Sequence, residues 1–334
     1  MKKIPKWLPL LMLALVVAAC EKKDNIKNNN ESESSIKDSY IYPLTGLETS
    51  GRPSDRAISV MINNHPDARP QSGLKEADII YEVLVEGGMT RLLAVYHSEE
   101  PETVGPVRSA RPYFIELANA HDSLYVFHGW SPEAKKLITN GSIDAINGLD
   151  YDGTLFRRVS FRKSPHNSYI NFSQIKEFAA DQGFMTKGAP DPYRFLPDDE
   201  EVIGKNQKEV IISYPAKSFD VRYEYDKSAE KYKRYSGGEL TVERETETPV
   251  LLDNVLIVET EHYRLDEEGR MRVNLHSGGR AFLLQQGKLL RVEWMNDNGR
   301  IVPYLDGKEV PLVPGKSWVN IVRDIYDSVT LIDG

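Results

Sequence analysis

Two patterns of apolar and polar residues divide the chain after residue 40. Up to residue 197, short apolar runs rich in β-branched residues alternate with segments that carry helix-start signals. The predicted strands are 57–62, 78–85, 91–96 and 124–128, and the predicted helices are 110–120, a helix capped by Ser131, and 172–182. The turn 86–90 between two strands predicts a hairpin, so the sheet is not expected to be all-parallel.

From residue 207 onward the apolar runs are short, and glycine, asparagine and aspartate separate many of them. Val221, Tyr223 and Tyr225 alternate with charged residues, as in a half-buried strand. The predicted strands are 210–214, 220–225, 231–235, 255–260, 270–275, 280–285, 289–295, 301–305 and 318–322. Many short strands joined by turns are typical of an antiparallel β barrel or sandwich.

Together these patterns predict an α+β protein with two domains. The first is a mixed, layered α/β domain over residues 40–197, and the second is an antiparallel β barrel or sandwich-like domain over residues 207–334. Between them, the linker 198–206 begins with four consecutive acidic residues.

The first twenty residues follow another pattern. Three lysines precede an apolar run over residues 7–19, and small residues come directly before Cys20, the only cysteine. These are the parts of a secretory signal, and the stretch resembles the lipobox of bacterial lipoproteins. A membrane-spanning helix is the alternative, but it needs roughly 20 apolar residues. We therefore predict that residues 1–19 are a signal peptide and that Cys20 is lipidated.

Residues 20–39 are mostly Asn, Ser, Lys, Glu and Asp, which predicts a disordered tether. Without residues 1–19 the chain has 315 residues, and its formal net charge changes from −8 to −11. This charge argues against nucleic-acid binding and against docking on anionic lipid, because both need clustered Lys and Arg. The predicted location is the outer face of the bacterial cell membrane, where acyl chains on Cys20 hold the protein.

Polar residues that could bind a ligand collect where the predicted strands end. The candidates are Asn63, Asn64, His65, Arg69, Glu82, Glu86, Arg91, Arg108, Arg111, His128, His166 and Asn167. Arg108 and Arg111 lie at the start of a predicted helix, where free backbone N–H groups and guanidinium groups suit a phosphate or a carboxylate. The alternative is that these arginines form structural ion pairs with acids such as Glu82 or Glu86.

Two histidines are candidates for proton transfer. His128 follows a predicted strand and precedes a capped helix, and His166 lies in a second polar turn, 164–167. If the two turns converge, these side chains could act as general acid and base near neutral pH. The alternative is that each histidine hydrogen-bonds a loop backbone.

No standard catalytic signature occurs in the sequence. It has no Gly-x-Ser-x-Gly elbow, no P-loop, no His-Glu-x-x-His pair and no Gly-x-Gly-x-x-Gly after a strand. The spacing of His65, Asp67 and His97 does not indicate a metal site, so no metal and no cofactor are predicted. With Cys20 acylated, no thiol remains for catalysis or for a disulfide.

Residues 63–74, 77–82 and 103–111 are long and specific segments, and residues 128–132 and 165–169 extend them. Together they resemble the YerB family of bacterial lipoproteins, a family of unknown function. The resemblance implies two domains, a lipid anchor and a location outside the cytoplasm, and association with cell-wall machinery would fit it. It implies no catalytic residues.

Three functional hypotheses follow. The first is a non-catalytic binding or scaffold lipoprotein of the cell envelope, with an Arg-rich site for an anion or a partner protein. The second is an enzyme acting on phosphate- or carboxylate-bearing cell-wall polymers, with Arg91, Arg108 and Arg111 holding the anion. The third is a solute-binding lipoprotein, which would need a cleft between two similar lobes, whereas the predicted halves differ.

Overall fold

The computed structural model describes residues 39–332. The predicted signal peptide 1–19, Cys20 and nearly all of the predicted tether 20–39 lie outside these residues. Strands dominate the described chain, and its helices are few and short. None of the helices within residues 39–332 has the length and apolar composition needed to cross a membrane.

The elements are numbered along the chain. The strands of the first half are β1 (Tyr40–Ile41), β2 (Glu48–Thr49), β3 (Ile58–Asn63), β4 (Ile79–Leu84), β5 (Thr90–Tyr96), β6 (Thr103–Val104), β7 (Leu124–Phe127), β8 (Ala145–Asn147), β9 (Phe156–Arg158) and β10 (Ser168–Asn171). The strands of the second half are β11 (Lys205–Asn206), β12 (Glu209–Ile212), β13 (Val221–Asp226), β14 (Lys231–Ser236), β15 (Glu239–Leu240), β16 (Leu251–Leu252), β17 (Asn254–Glu259), β18 (His262–Arg264), β19 (Met271–Val273), β20 (Gly279–Gln285), β21 (Lys288–Asp297), β22 (Arg300–Leu305), β23 (Lys308–Glu309), β24 (Ser317–Val322) and β25 (Val329–Ile332). The α-helices are α1 (Pro112–Asn119), α2 (Pro132–Thr139), α3 (Phe172–Asp181) and α4 (Ile325–Ser328), and the 3-10 helices are Pro66–Ala68, Glu86–Gly88 and Lys217–Phe219.

Local sequence signals set the main elements of the first half. The four strands predicted there correspond to β3, β4, β5 and β7, and β4 pairs with β5 as the expected antiparallel hairpin. Pro112 is the first residue of α1, and the Ser131 hydroxyl accepts from the Ala134 N–H at 3.3 Å at the start of α2. These elements are confirmed to within one or two residues at most ends.

One open sheet of 12 strands contains strands from both halves. Its order is β23-β22-β21-β20-β17-β24-β4-β5-β3-β7-β8, with β11 beside β21. The halves meet where β24 pairs in parallel with β4, with Trp318 opposite Ile80. Both halves therefore build the same sheet.

A second sheet of six strands contains only strands of the second half, in the order β15-β14-β13-β12-β25 with β16 beside β14. One face of the large sheet packs on this sheet and on α3, and the opposite face packs on α1. The short strands of the second half predicted a barrel or a sandwich, and the second half does not form a closed barrel. Its sheets are open, because β24 pairs with β4 of the first half instead of closing the second half on itself. The protein is mostly β, with two domains and few helices.

The carboxylate of Glu82 on β4 is completely buried where the halves meet. Arg234 of β14, itself only 1% exposed, donates to it at 2.7 Å. The neutral donors to the two carboxylate oxygens are Trp318, Asn320, Asn64 and Thr90, at 3.1, 3.0, 3.1 and 2.8 Å. A buried charge is tolerated only when it is paired and hydrogen-bonded in this way. Both halves are therefore needed to satisfy Glu82.

Glu243 makes a second buried contact between the halves. Its carboxylate accepts from the backbone N–H groups of Gly73, at 2.9 and 3.0 Å, and Lys75, at 3.2 Å. Burial, with a hydrogen bond to Glu245, raises the pKa of Glu243 to about 7. This carboxyl group therefore binds its proton more tightly in the folded protein than in the unfolded chain.

We expect Glu243 to make the free energy of unfolding depend on pH. Folding raises the pKa of Glu243, so its protonated form stabilises the folded protein. This contribution to the free energy of unfolding is complete below the ordinary pKa of glutamate and is lost as the pH rises through about 7. Glu243→Gln should flatten the decline of the unfolding free energy between about pH 5 and pH 8, measured by urea denaturation at each pH. Glu247→Gln, at an exposed glutamate nearby, is the control and should keep the wild-type slope. An unchanged slope in Glu243→Gln would contradict this role.

Candidate anion-binding site

Several of the candidate residues lie at one edge of the large sheet. β3, β7 and β8 run parallel, so their carboxyl ends lie at the same edge. Asn63 ends β3, His128 directly follows β7, and Arg91 of the antiparallel β5 lies opposite Asn63. In open α/β sheets, this is the edge where ligands bind.

A short segment, 107–110, is inserted between the ends of β3 and β7. The backbone N–H of Arg108 donates to Met61 O, and Arg108 O accepts from the His128 N–H, both at 2.9 Å. The backbone of Arg108 is therefore fixed on one side by Met61 of β3 and on the other by His128, the residue after β7.

Arg111, the residue before α1, is paired with Glu86. Its Nε and Nη2 donate to the two carboxylate oxygens at 2.6 and 3.0 Å. Burial alone would raise the pKa of Glu86, but this bidentate pair holds it below the ordinary glutamate value. The ion-pair alternative therefore describes Arg111.

Arg91 is 6% exposed and donates through Nη1 to Ser109 O at 2.6 Å. Burial, together with the charge of Arg111, lowers the pKa of Arg91 to about 9. Arg91 thus holds the segment 107–110 at the sheet edge and adds positive charge there.

Arg108 differs from these two arginines. Its side chain is partly exposed, and no group within residues 39–332 hydrogen-bonds to its guanidinium. Burial and the charges of Arg111 and Arg158 lower the pKa of Arg108, while Glu86, which is bound to Arg111, acts in the opposite direction. A guanidinium remains charged at neutral pH. In the described residues, Arg108 is therefore a cation without a bound counter-charge.

His128 is held by its neighbours at both ring nitrogens. Arg158 Nη2 lies 2.9 Å from its Nε2, and because a guanidinium only donates, Nε2 must accept. The ring proton is then on Nδ1, which donates to Ser168 Oγ at 2.8 Å. Burial and the charge of Arg158 lower the pKa of His128. This histidine is a neutral, fully bonded group.

His166 stacks on His65, with ring centroids 4.5 Å apart. Asn63 Oδ1 accepts from the His65 backbone N–H at 3.0 Å, so its Nδ2 donates to His166 Nδ1 at 2.8 Å. His65 Nδ1 also accepts, from the Asp67 N–H at 3.2 Å. In their neutral forms both rings therefore carry the proton on Nε2. Burial and the charges of His65 and Arg108 lower the pKa of His166.

His65, Asp67 and His166 also form a group that could hold a metal ion, since their ligand atoms lie within 4.8 Å of one another. Two observations disfavour a cation there. Both Nδ1 atoms already accept hydrogen bonds, and the positive charges of Arg108 and Arg162 act on His166 against the negative charge of Asp67. Ring N–H donors beside arginines are better suited to an anion.

The side chains of the other residues considered from the sequence are hydrogen-bonded to other parts of the protein. Asn64 and Glu82 are bonded to each other in the buried network. Arg69 donates to Asn64 O at 2.8 Å and to Ser218 O at 2.9 Å. His97, which was considered as a metal ligand with His65, contacts a backbone carbonyl at 3.0 Å.

Arg158 is a site residue that does not stand out as a candidate in the sequence. It lies opposite Ser168 in the β9–β10 pair and binds Asp152 through Nε and Nη2, at 3.0 and 2.9 Å. It also contacts His128 and donates to Asn167 Oδ1 at 3.3 Å. The sequence signal is only a pair of adjacent arginines, and strand pairing is what places one of them beside the histidine.

Known proteins share both halves of this chain. Residues 44–185 match the N-terminal domain, and residues 210–319 the C-terminal domain, of a protein family of unknown function, DUF3048. The chain is 44% identical over 335 residues to the Bacillus subtilis (strain 168) protein named "Putative lipoprotein YerB", covering 98% of each chain. It is also similar to the crystal structure of the YerB protein from Bacillus subtilis, with a TM-score of 0.83 and 46% identity over 88% of this chain and 99% of that chain. The resemblance seen in the sequence is thus confirmed, and the chain belongs to the YerB family, whose N- and C-terminal domains of unknown function it carries in that order.

Proposed function

We propose that the protein is an extracytoplasmic lipoprotein that binds an anionic group with its N-terminal domain. Acyl chains on Cys20 would hold it at the outer face of the bacterial membrane, and the name of the Bacillus subtilis relative supports this anchor. The ligand class is a phosphate or a carboxylate, because guanidinium and imidazole N–H groups bind both.

Arg108 carries the proposal for anion binding. Its guanidinium has no hydrogen-bond partner within residues 39–332, whereas Arg111 is bound by Glu86 and Arg91 by a backbone carbonyl. A partly buried charge without a partner is unfavourable, and the positive charges of Arg111 and Arg158 act on Arg108. An anion at this position would relieve that repulsion.

Recognition without catalysis fits the histidines better than proton transfer does. A general base needs a free nitrogen lone pair. His128 has both nitrogens engaged, by Ser168 and by Arg158, and His166 Nδ1 accepts from Asn63. We infer that the Nε2–H groups of His65 and His166 are positioned donors, and that His128 has a structural role. We also infer that the ligand belongs to the cell envelope, as a wall polymer or a protein of cell-wall synthesis.

Replacing the lipidated cysteine tests the anchor. Cys20→Ser should abolish incorporation of labelled palmitate and release the protein from the membrane fraction, because the acyl chains provide the attachment. Ser35→Ala, in the predicted tether, is the matched control and should behave as wild type. Equal membrane retention of the Cys20→Ser and wild-type proteins would contradict the proposal.

Inorganic phosphate tests the anion site. Bound phosphate should raise the pKa of His166, followed by NMR of its ring proton, because a nearby anion stabilises the charged imidazole. Arg108→Gln should weaken phosphate binding by at least about tenfold, since it removes the unpaired guanidinium. Arg157→Gln, at an exposed neighbouring arginine, is the control and should bind phosphate as wild type does. No response of His166 to phosphate, or the same affinity in Arg108→Gln, would exclude this site.

A further inference from the structure

A cleft of about 640 Å³ lies between α1, α2 and the β18–β19 hairpin. It is thus formed by both domains, and its volume is typical of ligand sites, which often occur at such boundaries. Arg91, Arg108, His128 and His166 are not among its lining residues. The cleft is therefore separate from the candidate anion site.

The wall on the side of the second domain is the edge of a strand. Six consecutive residues, 271–276, line the cleft. Because successive side chains of a strand point to opposite faces, one face of β19 could supply only every second residue. The backbone edge of β19 therefore borders the cleft. β18 and β19 form a two-stranded sheet, so within residues 39–332 no strand pairs with the other side of β19.

The register of the hairpin identifies the free backbone groups. The hydrogen bonds at the two ends of the ladder join Leu265 N–H to Arg270 O and Asn274 N–H to Glu261 O. Because bonded and non-bonded positions alternate in an antiparallel pair, Arg272 directs its N–H and C=O to β18. Met271 and Val273 direct theirs to the outer edge, where no group within residues 39–332 pairs with them. As whole residues, Met271 and Val273 are 6% and 4% exposed and belong to the hydrophobic core, and both line the cleft. The strand is therefore firmly held.

The rest of the lining suits the side chains of an extended chain. Leu137 of α2 and Tyr263 of β18 are 37% and 49% exposed and offer apolar and aromatic surface. The charged lining residues are Glu116, Glu133, Lys136 and Arg272, two of each sign. The cleft therefore has no net charge that would select a strongly charged ligand.

We propose that this cleft binds a partner protein through an extended, largely uncharged peptide segment that adds a strand to β19. The N–H and C=O groups of Met271 and Val273 pair with the main chain of the segment, and Leu137 and Tyr263 contact its side chains. A row of alternating backbone donors and acceptors matches a polypeptide main chain, which is why the occupant is a peptide and not a saccharide or a free phosphate.

The test uses the full-length lipidated protein in detergent micelles and a phage-displayed library of random peptides. Peptides selected on the protein are synthesised, and amide hydrogen exchange is measured by NMR with and without each peptide. Binding should slow exchange of the Met271 and Val273 amides by at least about tenfold. The Arg272 amide, which is already bonded to β18, should change little.

Two variants in the cleft and one outside it complete the test. Tyr263→Ala and Leu137→Asp should each weaken peptide binding by about tenfold, and both side chains are exposed, so the fold should persist. Tyr326→Ala, at a tyrosine that is 57% exposed outside the cleft, is the matched control and should bind the peptides normally. Failure to select any peptide, protection that spares Met271 and Val273, or an equal loss in Tyr326→Ala would overturn the proposal.

Discussion

A carboxylate in the interior of a β-sheet protein is stable only when cationic and polar groups surround it, and Glu82 imposes this requirement on the whole molecule. Its cationic partner, Arg234, comes from the second domain, stacks over the Trp318 ring at 4.2 Å and also donates to Thr241 at 2.8 Å. Asn64, from the first domain, completes the shell on the other side. Because neither domain alone contains all these partners, the two domains share one sheet and one buried polar network.

The same network reaches the candidate anion site. Asn64, bonded to Glu82, directly follows Asn63, and the Asn63 side chain sets the ring proton of His166. The sheet that Glu82 helps to hold together also places Arg91 and the backbone of Arg108 at one edge. A chain with a formal net charge of −8 thus concentrates positive charge at one location. Local placement, and not the average charge, determines what this edge can bind.

The parts of the structure that the sequence predicts are those with local causes. β3, β4, β5 and β7 follow from apolar runs, and α2 follows from the cap at Ser131, because strand and helix signals act over a few residues. The pairing of β4 with β24 joins residues far apart along the chain and leaves no local signal. A pattern of short strands fits an open sheet as well as a barrel, so the closed form could not be excluded from the sequence.

In the candidate site, too, the residues with local sequence signals could be predicted, and those placed by long-range pairing could not. Arg108, Arg111 and His128 stand out because they lie at strand or helix ends, and the ion pair of Arg111 with Glu86 was one of the two interpretations that the sequence allowed. Arg234 as the partner of Glu82 could not be foreseen, since only the assembled sheets bring the two together. Arg158 is placed beside His128 by strand pairing in the same way.

The most direct measurement for the central claim is the free energy of unfolding of Arg234→Met, from urea denaturation followed by tryptophan fluorescence. Removing one partner of a buried ion pair costs about 3–5 kcal/mol, so we expect a loss of that size. Arg280→Met removes the exposed partner of Glu259 and should cost no more than about 1 kcal/mol. Equal small losses in both variants would show that the Glu82–Arg234 pair does not hold the two domains together.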